Sequence, residues 1–287
     1  MITKFIKRIM RRDPMERGVH IGPAYAPKRI PKKTHRIDPH LLSKNAVKVT
    51  HTLQQAGYEA FIVGGAVRDL VLGIGPKDFD VATNATPDQV QRLFRKARLI
   101  GRRFQIVHVT FFGKAHPEII EVSTFRALLD NAGDHVAESG RILRDNVWGS
   151  QGEDAARRDF TINAMYYDPS TETVLDYHGG MSDMQKKTLR MIGDPAKRYR
   201  EDPIRMLRAI RFAAKTGFTL DFATAAPITE LSALIHDVPA ARLFDEILKL
   251  IEDHENDDFY QKGLKERMLH HQNKDHQTPL NLSLIHI

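Results

Sequence analysis

The sequence predicts an α+β protein in which a mixed-sheet domain is followed by a run of helices. Between residues 38 and 125 the apolar pattern alternates between a period near 3.6 and a period of 2, in the order helix, strand, helix, strand, helix, strand, strand. The last two strands, 103–112 (RFQIVHVTFF) and 118–125, flank a short turn near Gly113–Pro117 and are expected to pair antiparallel. From Tyr199 onward Ile204, Leu207, Ile210 and Ala214 form one stripe that stops at Gly217, the start of a helical second region.

The elements follow in order. Residues 1–36 hold 11 Lys/Arg against 2 Asp/Glu, broken by Pro14, Pro23, Pro27 and Pro31, and read as a basic, flexible arm. Leu41, Leu42, Ala46, Val49 and Leu53 give a helix that ends at Gly57. YEAFIVGG is a strand entering a glycine turn, AVRDLVLG a short helix ended by Gly73, and DFDVAT a second strand. Thr86, Pro87 and Gln89 supply a cap, a first-turn proline and a capping-box partner, which predicts a helix over 87–98. Residues 127–155 are polar, dotted with glycine and weakly periodic, the pattern of a long mobile loop. RRDFTINAMYYD restores a helix or strand start, and TVLDYHGG with TLRMIG suits a last hairpin. Helices over 225–236 and 239–252 continue the second region, and residues 253–287 form a polar tail. The expected domains are therefore the arm 1–36, a head 37–182, a helical neck and start of a body 183–252, and the tail.

At 287 residues with 41% hydrophobic content, the chain can bury a sizeable core. No apolar stretch approaches the roughly 18–20 residues of a membrane span, and charges interrupt the apolar part of MITKFIKRIMRR, so neither an integral membrane protein nor a signal peptide is expected. The expectation is a cytoplasmic protein, although such a start also suits an anionic surface or a transit peptide. Zero cysteines exclude disulfides, thiolate metal sites and a cysteine nucleophile. The net charge of +7 is concentrated in the arm, which carries +9 and leaves −2 for the rest. A cationic arm on a near-neutral body suits attraction to a phosphate backbone, or simply solubility.

Side chains two apart on a strand share a face, so Asp78 and Asp80 project together while Phe79 turns inward. Two carboxylates this close repel unless cations lie between them, and oxygen donors without Cys or clustered His favour Mg²⁺. Glu121, between the apolar Ile120 and Val122, is the candidate third carboxylate of a two-metal site. Gly64 and Gly65, after a strand and before a helix, allow backbone N–H groups to close on an anion, with Arg68 one turn along. The plain alternatives are a solvent-facing strand end and an ordinary strand-to-helix turn.

The combination GGAVRDLVLGIGPKDFD, continued by EVSTFR, RRDFTINAM (157–165) and GDPAKRYREDPIRMLRAIRFAAK (193–215), resembles the class II nucleotidyltransferases, which include bacterial poly(A) polymerases and CCA-adding enzymes. LIGRRFQIVHV and the basic arm resemble the poly(A) polymerase branch more closely. The resemblance implies a polymerase β-like head, a helical neck, and a helical body that is truncated here. It implies that Asp78, Asp80 and Glu121 hold two Mg²⁺ ions and that Gly64, Gly65 and Arg68 hold the nucleoside triphosphate. It also implies a phosphate-side Arg126, ribose and supporting roles for Arg158, Asp159 and Asn163, and base recognition by Asp202 and Arg205. The last two, three apart, are expected on one helix face, where they equally suit an intrahelical ion pair.

The implied reaction is template-independent transfer of AMP from ATP to an RNA 3′ end, with the arm on the RNA. The alternatives are CCA addition to tRNA and an inactive RNA-binding fragment. His108 reads as a packed or edge residue, Arg102 and Arg103 as primer or triphosphate contacts or solvated groups, and Trp148 as a base-stacking or loop-pinning residue. The histidines at 254, 270, 271, 276 and 286 are too irregularly spaced for a metal cluster.

Overall fold

The computed structural model describes residues 26–101, 105–113, 116–127 and 147–255. An eight-stranded sheet forms the head. Its strands are β1 (Lys28–Pro31), β2 (Ala60–Val63), β3 (Asp80–Thr83), β4 (Ala97–Ile100), β5 (Ile106–Phe112), β6 (Pro117–Thr124), β7 (Met165–Asp168) and β8 (Thr173–Asp176), in the spatial order β1-β8-β7-β2-β3-β6-β5-β4. Every pairing is antiparallel except β3 with β6, which run parallel.

The helices around the sheet are α1 (Lys32–His35), α2 (Lys44–Gln55), α3 (Gly65–Val71), α4 (Pro87–Leu93), α5 (Gln151–Arg157) and α6 (Gly180–Lys186). Ser43 caps α2 by accepting from the N–H groups of Asn45 and Ala46, and Ala46, Val49 and Leu53 bury its apolar stripe. Thr86 and Gln89 close the expected capping box on α4. That helix ends at Leu93 rather than continuing to 98, because residues 97–100 pair with the edge of β5 and become β4. The expected loop 127–155 likewise yields a helix at its end. Ser150 and Glu153 form a capping box that starts α5, a Ser-x-x-Glu signal that the polar composition obscured.

The flexible arm expected through residue 36 is corrected for its last nine residues. β1 pairs with β8 at the sheet edge, Ile30 is buried, and the His35 ring bonds both the Glu172 carbonyl and the Ile37 N–H. Apolar Ile30 and Ile37 outweigh the surrounding charge. Residues 1–25 lie outside the described residues, as do Arg102, Arg103 and the histidines beyond 254. TVLD pairs with β7 and not with TLRM, whose Thr188–Leu189 (β9) instead runs parallel to Thr219–Leu220 (β10).

The second region contains α7 (Pro195–Glu201), α8 (Ile204–Thr216), α9 (Phe222–Leu231), a 3-10 segment Ser232–Asp237 and α10 (Ala240–Glu255). The buried stripe of α8 is Met206, Ala209, Phe212 and Thr216, while Ile210 of the expected stripe is 46% exposed. Both registers satisfy helical spacing, and contact with the head selects this one, with Phe212 edge-to-face on Phe160 at 5.8 Å. Among the described residues no helix is long and apolar enough to cross a membrane.

One close approach fixes the turn that precedes β7. A Cβ added at Gly180 would stand 2.4 Å from the Thr161 carbonyl oxygen, the first residue of the 3-10 turn Thr161–Asn163. Gly180→Ala should therefore destabilise the protein by about 1–3 kcal/mol, read as a lower urea midpoint at an unchanged slope.

Candidate functional site

The parallel register of β3 on β6 places Asp80 directly opposite Glu121. Antiparallel pairing extends the row to Val63 on one side and His108 on the other. The expected strand over 78–83 is corrected at its start: β3 begins at Asp80, so Asp78 precedes it and is exposed, while Phe79 between the two aspartates is buried. Burial, then the charge of Glu121, and then that of Asp78 push the Asp80 carboxyl up to about 6, against the opposing pull of Arg158. His108 Nε2 lies 3.3 Å from Glu121 Oε1, a contact that the packing reading of this residue missed. Its Nε2 nevertheless lacks hydrogen-bond alignment, so the contact is one of proximity.

β2 ends at Val63, and Gly64, with a φ of 73°, turns the chain into α3. A Cβ there would make only ordinary contacts, 3.5 Å from Arg158 Nη1 and 3.8 Å from Asp80 Oδ2, so the positive φ and not crowding is what favours glycine at this turn. Arg158, just past α5, donates to Asp154 Oδ2 at 3.1 Å and to the Tyr166 hydroxyl at 3.2 Å, and lies 5.2 Å from the Tyr166 ring centroid. Burial alone would raise the Asp154 carboxyl, but Arg158 and the Tyr166 hydroxyl at 2.7 Å outweigh it and hold the carboxyl below its usual range. Asp154 and Tyr166 carried no signal in the sequence beyond composition.

A second chain of contacts crosses from head to neck. Arg68 is almost fully buried, donating to Asp69 at 2.7 Å and to Asn163 Oδ1 at 2.8 Å. Asn163 donates to Asp159, which also accepts from the Phe160 N–H and from an Arg208 fork at 2.6 and 2.9 Å. Burial would raise the Asp159 carboxyl; the Arg208 charge and hydrogen bonds bring it down to about 2. Arg208 was legible as the middle of an Arg205, Arg208, Arg211 series at helical spacing, which the apolar stripe overshadowed.

The expected Asp202/Arg205 helix face is corrected. α7 stops at Glu201, Asp202 is extended (φ −151°, ψ 93°), and α8 begins after Pro203, because a residue before proline is driven from the helical region. The side chains are not paired with each other. Asp202 accepts a two-pronged contact from Arg242 at 2.9 and 3.0 Å, and Arg205 donates to the Arg198 carbonyl and to Glu201.

One cavity of about 540 Å³ nevertheless unites most of the expected residues. Gly64, Gly65, Arg68 and Asp80 line it from the sheet end, Arg158, Asp159 and Asn163 from the segment after α5, and Asp202 and Arg205 from the neck. Asp78, Glu121 and Arg126 are not among its lining residues. Arg126 pairs with Trp148 in an isolated antiparallel bridge, and its N–H donates to Asp154 at 3.3 Å, so Trp148 pins this segment. Among the described residues no three His, Asp or Glu side chains already converge into a metal cage.

Comparison with known proteins gives a consistent set of relatives. The family described as "Poly A polymerase head domain" matches residues 60–190, and "Probable RNA and SrmB- binding site of polymerase A" matches residues 217–271. Poly(A) polymerase I of Salmonella typhi is 48% identical over 91% of this chain and 56% of its own length. Poly(A) polymerase I of Escherichia coli O157:H7 is 54% identical over 78% of this chain and 48% of its own. The CCA-adding enzyme of Bacillus pumilus is 39% identical over 72% and 49%. Among solved structures, the Bacillus stearothermophilus CCA-adding enzyme in complex with CTP superposes with a TM-score of 0.63 at 34% identity, covering 74% of this chain and 49% of that one. The chain thus spans about half the length of the curated relatives it matches.

Two substitutions test the electrostatics. A carboxyl whose folded pKa lies near 6 destabilises the fold progressively as pH rises from about 4 to 6, and fully above that. Asp80→Asn should therefore raise stability in the absence of divalent cations by about 2 kcal/mol at pH 7.5, seen as a higher melting temperature. Asp159 has the opposite sign, its contribution being present above about 4 and lost as pH falls through about 2. Arg208→Ala should cost about 3 kcal/mol at pH 7, with the gap to the parent narrowing in urea titrations below about pH 4.

Proposed function

The chain belongs to the family of the poly(A) polymerase head domain, and on that premise we propose that it is a nucleotidyltransferase transferring AMP from ATP to RNA 3′ ends. The RNA 3′-hydroxyl attacks the α-phosphate in line, the bond to the β-phosphate oxygen breaks, and pyrophosphate leaves. The observation that carries this reading is the single cavity that joins Asp80 and Arg158 to Asp202 and Arg205 of the neck. The same cavity thereby holds a cation able to bind a phosphate and polar groups able to read a base.

The donor set fits Mg²⁺. Asp78, Asp80 and Glu121 offer only oxygen, and burial together with the charges of Glu121 and Asp78 raises Asp80, which suits an ion completed by substrate phosphates rather than one caged by protein. These three residues would hold two such ions, which when bound lower the charge repulsion between nucleophile and triphosphate. The chain's own groups do the rest. The backbone N–H groups at Gly64 and Gly65 and the Arg158 guanidinium, fixed by Asp154 and Tyr166, take the triphosphate. Arg68, expected on the triphosphate, is 2% exposed and donates to Asp69 and Asn163, so its part is to hold that wall in register with Asp159 and Asn163. Arg126 adds positive charge behind Asp154. Asp202 accepts from the exocyclic amine of adenine while Arg205 donates to a ring nitrogen, in place of a template.

Poly(A) polymerase relatives at 48–54% identity favour repeated AMP addition. CCA addition is the second reading, favoured by the superposition on an enzyme bound to CTP. The basic arm and the segment 217–271 are proposed to contact RNA, in the cytoplasm.

Incubating an RNA primer, and a tRNA lacking its end, with Mg²⁺ and each nucleotide singly should give a long ladder with ATP alone. Asp80→Ala should lower extension by on the order of 10²–10³-fold. A stop after three additions on tRNA would support CCA addition, and Asp80→Ala extending like the parent would exclude the carboxylate site.

A further inference from the structure

The row that contains Asp80 and Glu121 does not end at the site. Register continues it across His108 to Arg98 on the edge strand β4, which places the four side chains on one face of the sheet. Burial alternates accordingly. Val107, Val109, Ile120 and Val122 point to the core, whereas Thr110 is half-buried and Phe112 and Ile119 are 69% and 45% exposed on the opposite face.

This open face carries cations and one aromatic platform. Lys96 and Arg98 are exposed, and none of the ion pairs among the described residues uses either. Lys96 Nζ stands 3.8 Å from the centroid of the Phe112 ring, which keeps the two side chains together on this face, with Phe112 roughly 13 Å along β5 from His108. The one acidic side chain of this hairpin that lies off the row, Glu118, is turned to the other side and bonds Ser43 and Asn45. Exposed Arg and Lys beside an exposed phenylalanine match the chemistry of a single-stranded nucleic acid, with phosphates on the cations and a base on the ring.

We propose that the open face of β4, β5 and β6 is the track along which the 3′-terminal nucleotides of the RNA reach Asp80. Arg98 lies three strand spacings from Asp80, roughly 14 Å, so it meets a backbone phosphate upstream of the reacting end while Phe112 and Lys96 hold a base and the next phosphate. The proposal rests on the adenylyl-transfer reading for its direction, but its binding component is measured without nucleotide or Mg²⁺.

The test uses the full chain and a labelled oligoadenylate, with affinity followed by fluorescence anisotropy across a salt series. Phe112→Ala should weaken binding about tenfold, and Phe112→Trp should retain it. Lys96→Ala/Arg98→Ala should lower the slope of log K against log salt by about 1.4, two single-strand phosphate contacts. In extension assays both losses should appear in the KM for RNA and leave the KM for ATP unchanged. Parent-like affinity and slope in both variants would overturn the track even if the protein extends RNA. Equal loss of ATP binding would also overturn it, since the effect would then be structural. Failure of extension with these binding losses intact would overturn the adenylyl-transfer reading and leave the track.

Discussion

The parallel pairing of β3 with β6 forces Asp80 and Glu121 into one lateral row, and two carboxylates at neighbouring strand positions repel. Burial first, and then that repulsion, drives the Asp80 carboxyl upward, and Arg158 only partly relieves it. A sheet built for stability alone would not keep this arrangement. It becomes favourable when positive charge arrives from outside, which is the physical reason to read the row as a site and not as a strand end.

The arginines around the row are themselves held by carboxylates. Asp154 fixes Arg158 from the head, while Asp159 fixes Arg208, which also approaches Glu246 of α10 at 3.7 Å. Arg211 bonds Glu246 at 2.5 Å and Asp253 at 2.9 Å, and the rings of Phe160 and Phe212 close the gap between head and neck. Buried pairs of this kind contribute little net stability once desolvation is counted, and breaking one partner is costly. Their consequence here is geometric. The position of Asp202 and Arg205 relative to Asp80 is set through side chains that have little freedom to move.

Much of this was legible in the sequence because it is local. Glycines between a strand and a helix and a Thr-Pro-Asp-Gln cap each report on a few neighbouring residues and appear where expected, whereas of the Asp-x-Asp pair only Asp80 lies on the strand. The register of Glu121 followed from alternation plus adjacency of strands. What escaped depends on distant partners. Residues 97–100 became a strand because β5 offered an edge, and 28–31 joined the sheet because β8 did. The stripe on α8 could not be chosen without knowing where Phe160 lay. The Asp202–Pro203 break was readable from proline chemistry, but the pairing of Asp202 with Arg242, forty residues away, was not.

The site depends most on the like charges of Asp80 and Glu121 being there to receive cations. The direct measurement is the melting temperature of the parent and of Asp80→Asn as Mg²⁺ is titrated at constant ionic strength and pH 7.5. A rise in the parent that saturates, and is lost or much reduced in Asp80→Asn, is the predicted result. An equal rise in both proteins would contradict it, because the ion would then be stabilising the fold somewhere other than this row.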